Sequence, residues 1–323
     1  MLRKTLAAAA VALTVTAAPA AAQELNFGII STEASSNLKK IWEPFIQDMS
    51  KGTGLKVNAF YASDYAGVIE GMRFNKVQVA WYGNKAAMEA VDRANGEVFA
   101  QSVDKDGNLG YWSHIIVHKD SPFQTVDDVL KCDKSLDFGI GDPNSTSGFL
   151  VPTTFVFSAK NIDPKNCFKT VRAANHEANA LAVANKLVSA ASNNNENLRR
   201  LGTTSPAKAK DIRVIWTSPL IPSDPLVWRK DLDPGIKKKL ADWLFEYGKT
   251  DEREKKVLAE LGWAPFKQSD NSQLLPIRQM EVNRSMMKLK GEEVAGDPKK
   301  QAEIAELQKE FDNLGTQIAA MKK

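Results

Sequence analysis

From Leu25 onward the chain alternates short apolar runs with amphipathic stretches, and no other feature restricts its fold as much. LNFGII, LKVNAF and VQVAW are strand-length runs, and residues 36–49, 65–75 and 85–94 between and after them carry apolar positions at helical spacing. A β-α repeat of this kind builds a sheet with helices on both faces, and ligands in such folds gather at the carboxyl ends of the strands. Functional residues are therefore sought in the loops that follow the strands. A second series repeats the pattern: LDFGI, a helix over about 147–161, FKTV, a helix over about 178–186, VSAAS, a helix over about 196–201, and IRVIW. Strand-like crossings join the two series near residues 113–118, in YWSHIIVH, and near 217–228. The latter stretch contains Pro219, Pro222 and Pro225, which suit a crossing better than a central strand. The expected fold is α/β and two-lobed, each lobe a mostly parallel sheet flanked by helices, with a ligand cleft between them. Residues 23–115 and 227–323 form the first, discontinuous lobe and 116–226 the second; 323 residues suffice for two cores.

The segment before this pattern reads as a secretory signal peptide over residues 1–22. Arg3 and Lys4 give it a basic start, Thr5 to Ala18 an apolar run, and Ala20 to Ala22 a small-residue end. The run is shorter than the roughly 20 apolar residues of a membrane span. With no cysteine near the expected cleavage point, a lipid anchor is not expected, and the expected compartment is the periplasm. Cys132 and Cys167 fit an oxidising compartment. Each precedes an apolar run, and runs of a parallel sheet start at one edge, so a disulfide is geometrically reasonable; two buried thiols are the other reading.

Charge and motifs exclude several classes. Lys+Arg 43 against Asp+Glu 39 gives a net charge of +4, far from the excess a nucleic-acid binder needs. No GxSxG elbow, Walker A loop or HExxH is present. His114 and His118 have the i, i+4 spacing of a zinc pair, but on a run that reads as strand. No catalytic residue and no cofactor is expected.

The most informative stretch is GIGDPNSTSGFLVP, where a strand ends and a helix begins within Asn144 to Gly148. A helix start offers unpaired N–H groups and partial positive charge, and Ser145, Thr146 and Ser147 add three donors that can surround a tetrahedral oxyanion. One hydroxyl would suffice for ordinary N-capping. Glu196 and Asp224 sit in polar or proline-rich loops. Taken alone each reads as a solvated acid; if both line a cleft with the hydroxyl cluster, the ligand must bring a cation as well as an anion.

LNFGIISTE, VNAFYASDYAGVIEGMRFNKVQVAWYGN, DGNLGYWS, GDPNSTSGFLVP, NALAVANK, NNNENL, SPLIPSDPLVWRK and LGWAPF together closely resemble the periplasmic phosphonate-binding proteins of phosphonate ABC transporters. The likeness runs to about Gln279. It implies a type II solute-binding fold that closes on a small-molecule phosphonate and delivers it to a membrane permease with its ATP-binding subunit. It also implies that Tyr65, Tyr111, Ser145, Thr146, Ser147 and His176 hold the phosphonate while Glu196 and Asp224 hold an amine. Without the resemblance, the two tyrosines read as core aromatics and His176 as a polar helix start. The paired acids favour 2-aminoethylphosphonate. Phosphate, phosphite or a simple alkylphosphonate is the nearest alternative, and a periplasmic hydrolase a more distant one. Lys85, in YGNKAAME, departs from the family pattern. At the C-terminus Ile304, Leu307, Phe311, Leu314, Ile318 and Met321 form a seam at intervals of three and four. Two readings stay open for it: docking on its own lobe, or a homodimer.

Overall fold

A computed structural model describes residues 23–291 and 297–321; the expected leader, residues 1–22, lies outside them. In chain order the strands are β1 (Glu24–Ile29), β2 (Lys56–Tyr61), β3 (Val79–Trp81), β4 (Gly96–Asp104), β5 (Gly110–Tyr111), β6 (Ser113–His118), β7 (Asp137–Ile140), β8 (Thr170–Ala173), β9 (Ala190–Asn194), β10 (Ile212–Thr217), β11 (Ile221–Pro222), β12 (Pro225–Arg229) and β13 (Trp263–Gln268). They form a six-stranded sheet in the order β13-β4-β12-β3-β1-β2 and a five-stranded sheet in the order β10-β6-β9-β7-β8.

The β-α units behave as their pattern dictates: β1 runs parallel to β2 and β3, and β7 parallel to β8 and β9. Both sheets are nevertheless mixed rather than mostly parallel, because the chain passes from one sheet to the other and back. Its outward and return paths pair antiparallel at three levels, β4 with β12, β5 with β11 and β6 with β10. The two-residue pair β5-β11 is thus the waist of one ribbon rooted in both sheets. The boundaries expected after residues 115 and 226 fall beyond this waist, inside β6 and β12.

Each sheet has its own core. On the first, the helix Ser35–Thr53 buries Leu38, Trp42, Phe45, Ile46 and Met49 at three- and four-residue intervals and ends at Gly54, whose φ of 69° is the left-handed conformation that glycine adopts without strain. Trp42 packs against Phe27, Phe45, Trp81 and Trp263. The second sheet is filled by Phe138, Phe157 and Phe168. Cys132 and Cys167 are joined by a disulfide at the edge where the parallel neighbours β7 and β8 begin.

The helix Pro298–Met321 lies along the helix Leu275–Lys290 of the same chain. Leu314 is buried there, Ile304, Leu307, Phe311 and Ile318 are half-buried, and Gln279 Nε2 donates to the Phe311 carbonyl at 3.1 Å. The seam is used for intrachain docking, and a homodimer through it has no support. Among the described residues no helix is long and apolar enough to cross a membrane.

Candidate functional site

Tyr65, Tyr111, Ser145, Thr146, Ser147, His176, Glu196 and Asp224 all line a single cavity between the two sheets. The topology explains the convergence. Tyr65 follows β2, Ser145 to Ser147 follow β7, His176 follows β8 and Glu196 follows β9, so each sits just beyond the carboxyl end of a parallel strand. Tyr111 belongs to β5 and Asp224 follows β11, so these two come from the connecting ribbon.

The walls are mainly helix starts. Tyr65 opens a helix capped by Asp64, which accepts from Gly67 N–H at 2.8 Å. Ser145 caps the next, accepting from Gly148 N–H at 2.9 Å, and Asn175 and Asn194 cap the helices that begin at His176 and Asn195. A fifth begins at Asn84, after Gly83 in the cavity wall. Amino ends concentrate unpaired N–H groups and positive partial charge, so the arrangement favours an anion at the centre.

The hydroxyl cluster is held tightly. Helical turns from Thr146 onward are wound wide, with Val151 N–H bonded to the Thr146 carbonyl five residues back, a distortion common at functional sites. Gly148 lies against β7's end: Gly141 N–H donates to the Gly148 carbonyl at 2.8 Å, and a Cβ on Gly148 would come within 2.9 Å of both Gly141 Cα and Ser145 Oγ. The lysine that departs from the family pattern keeps its charge out of the site. Lys85 Nζ lies 3.2 Å from Glu89 and 3.8 Å from Glu281, while its backbone N–H donates to Thr146 Oγ1 at 2.9 Å.

His176 Nε2 is 3.4 Å from each of Ser145 Oγ, Ser147 Oγ and Asn194 Nδ2. Burial, with Arg200 adding to it, pushes its pKa down to about 3, so the imidazole is neutral at physiological pH. Burial lifts the tyrosine hydroxyls of Tyr65 and Tyr111, which therefore remain protonated donors. The acids behave oppositely to a surface carboxylate. Burial holds Asp224 well above the usual carboxylate range and the facing Glu196 adds to the rise, against the pull of Tyr111, Arg200 and Trp81. Burial raises Glu196 as well, against Arg200 and Arg199. Asp224 Oδ1 has no hydrogen-bond partner among the described residues. The cavity thus joins an anion-binding wall to a pair of carboxyls, while the guanidinium that lines it, Arg200, is ion-paired with Glu33.

Sequence reasoning missed several lining residues, among them Thr32, Trp81, Asn194 and Arg200. Arg200 carries the site's cation; its Nε donates to Glu33 Oε1, on the loop after β1. Its signal was the i, i+4 spacing from Glu196 in NENLRR, which puts both on one helix face. The zinc reading of His114 and His118 is not realised: both lie on β6, His114 Nδ1 3.1 Å from Thr217 Oγ1 and His118 Nδ1 accepting from Asp120 N–H at 3.1 Å.

The family model for the periplasmic substrate-binding protein of the phosphonate ABC transporter matches residues 27–274. The chain belongs to this family. It is 56% identical over 300 residues to the phosphonates-binding periplasmic protein of Escherichia coli K12, covering 92% of this chain and 88% of that one. Among solved structures, a binding protein component of an ABC phosphonate transporter from Pseudomonas aeruginosa superposes with a TM-score of 0.91 at 52% identity, over 94% of this chain and 100% of the other. A phosphate-import protein of Mycolicibacterium smegmatis is 34% identical over 173 residues, 50% of this chain and 52% of that protein. The fold is therefore that of a type II periplasmic binding protein. As a family member the chain binds a small-molecule phosphonate for transport rather than catalysing a reaction, and its partners are a membrane permease and an ATPase. All eight expected site residues fall within the matched span; the helices from Leu275 onward do not.

Proposed function

We propose that this protein captures an aminoalkylphosphonate, 2-aminoethylphosphonate foremost, and presents it to its permease in the closed form. In this reading Tyr65, Tyr111, the hydroxyls of Ser145, Thr146 and Ser147, and His176 surround the phosphonate oxygens. Glu196 and Asp224 take the ammonium. One observation carries the choice of ligand: two carboxyls, both raised by burial, share the cavity with the oxyanion wall. A bare oxyanion would raise both acids further and oppose their ionisation; an ammonium two carbons away supplies a cation that both can meet as carboxylates. We propose further that each large sheet is the core of one lobe, that the lobes turn about the β5-β11 waist as binding proteins of this kind do, and that residues 1–22 direct export to the periplasm.

The similarity to a phosphate-import protein keeps phosphate as the reading to be beaten. Calorimetric titration with 2-aminoethylphosphonate, ethylphosphonate, phosphite and phosphate decides between them. The expected result is 2-aminoethylphosphonate tightest by at least about tenfold, the equivalent of 1.4 kcal/mol. Equal or tighter binding of phosphate would remove the role assigned to the acids.

A further inference from the structure

We propose that Glu177 and Arg200 clasp residues 32–37 across the cleft, and that this clasp sets how long a bound phosphonate stays without Glu177 or its counterpart Glu33 lining the ligand cavity. The helix Ser35–Thr53 starts from Ala34, and no side chain at its cap position satisfies its first N–H groups. The acceptor comes from the opposite wall. Glu177 Oε2 accepts from Ala34 N–H at 2.8 Å and Oε1 from Asn37 Nδ2 at 2.6 Å, while Glu177 N–H lies 3.4 Å from the Thr32 carbonyl. A carboxylate at this point also meets the positive end of a 19-residue helix.

Arg200 grips the same segment a few ångströms along. Its Nε donates to Glu33 Oε1, which Asn197 Nδ2 approaches at 3.4 Å, and the two paired side chains are only 14% and 4% exposed. Arg200 borders the cavity, whereas Glu33 and Glu177 are not among its lining residues. Every one of these bonds joins the segment after β1 to helices that follow β8 and β9. They therefore exist only with the cleft closed; on opening, Ala34 N–H, Glu177, Glu33 and Arg200 all return to water. Interactions confined to the closed form slow the ligand's departure and leave its arrival nearly untouched. Glu33 and Glu177 are thus positioning residues for the lobes. The proposal rests on the preceding reading only in needing a ligand that closes the cleft, whichever phosphonate or oxyanion that is.

The test is stopped-flow association and dissociation, followed by tryptophan fluorescence, for the full-length mature protein and its Glu177→Gln, Glu177→Ala and Glu33→Gln variants. The probe is whichever of 2-aminoethylphosphonate, ethylphosphonate and phosphate the unaltered protein binds most tightly, with the next best as a control. Dissociation is expected to quicken by about threefold for Glu177→Gln, which keeps an acceptor but loses the charge, and by about tenfold for Glu177→Ala and Glu33→Gln. Association should stay within about twofold, and the ratio between the two probes should not move. Unchanged dissociation in the Glu177 variants would overturn the clasp, as would a changed probe ratio, since that would mean these residues read the ligand. Should Glu33→Gln fail to fold, the Glu177 pair decides alone. Failure of the aminoalkylphosphonate reading shows separately, in the ligand order of the unaltered protein.

Discussion

Asp224 and Glu196 make opposite demands on the empty and the filled cavity, and single substitutions separate the two. Glu196→Gln keeps the cavity's shape but removes a carboxylate from the side proposed to hold the ammonium. It should weaken 2-aminoethylphosphonate by about 2 to 5 kcal/mol, roughly 30- to several-thousand-fold, and leave ethylphosphonate unchanged or slightly tighter in the same titration. Thr146→Val should weaken both ligands alike, because both present the same oxygens to the hydroxyl wall. Equal losses for Glu196→Gln would assign the acid to closure rather than to the amine. Asp224 gives a stability counterpart. A carboxyl whose folded pKa is raised holds protons that the unfolded chain gives up, so it favours folding least above its folded pKa and is neutral below the unfolded one. Asp224→Asn should therefore raise the melting temperature of the ligand-free protein by roughly 2–4 °C at pH 8, with the gain fading toward pH 4, in thermal scans across that range.

Helix starts supply most of the cavity wall, and this is why part of it was legible. The hydroxyl turn NSTSG and the acid of NNENL stood out at strand-to-helix turns, whereas Tyr65 of SDYAG and His176 of NHEANA, which also follow parallel strands, entered only through the resemblance to the family. What stayed hidden needed contacts across sequence: Glu33 and Arg200 are 167 residues apart and lie beyond strands of different sheets, β1 and β9. The mixed direction of the sheets was hidden too, since apolar alternation shows where a strand lies and not which way its neighbour runs. Gly148 tests the hydroxyl turn as an element. Gly148→Ala would force a Cβ to 2.9 Å from backbone at Gly141, so we expect a loss of about 1 to 3 kcal/mol in stability, measured by urea unfolding, together with at least tenfold weaker binding of every phosphonate. The disulfide acts at a distance from the cavity. Replacing Cys132 and Cys167 together by serine should cost about 3 to 4 kcal/mol by the loop-entropy model and leave the ligand order unchanged.

On the scale of the whole molecule, closure and protonation are linked. Burial raises both acids, and on the proposed reading an ammonium between them returns them to the ionised form. Binding of 2-aminoethylphosphonate should therefore release protons, and affinity should fall as pH is lowered through the range where the empty cavity protonates. Calorimetry in buffers of different ionisation enthalpy counts the protons. Glu196→Gln should release up to about one fewer than the unaltered protein, a difference in which the ligand's own ionisation cancels.

The ribbon that joins the sheets adds a mechanical consequence. Tyr111 lies within its two-residue waist and Asp224 two residues past it, so on the proposed hinge both sit almost on the axle, where a given rotation sweeps the shortest arc. The hydroxyl turn and Tyr65 sit out on the levers. An arriving ligand therefore finds its first foothold already in place at the pivot and is closed upon from both flanks, much as a nut is set at the joint of a cracker before the arms move.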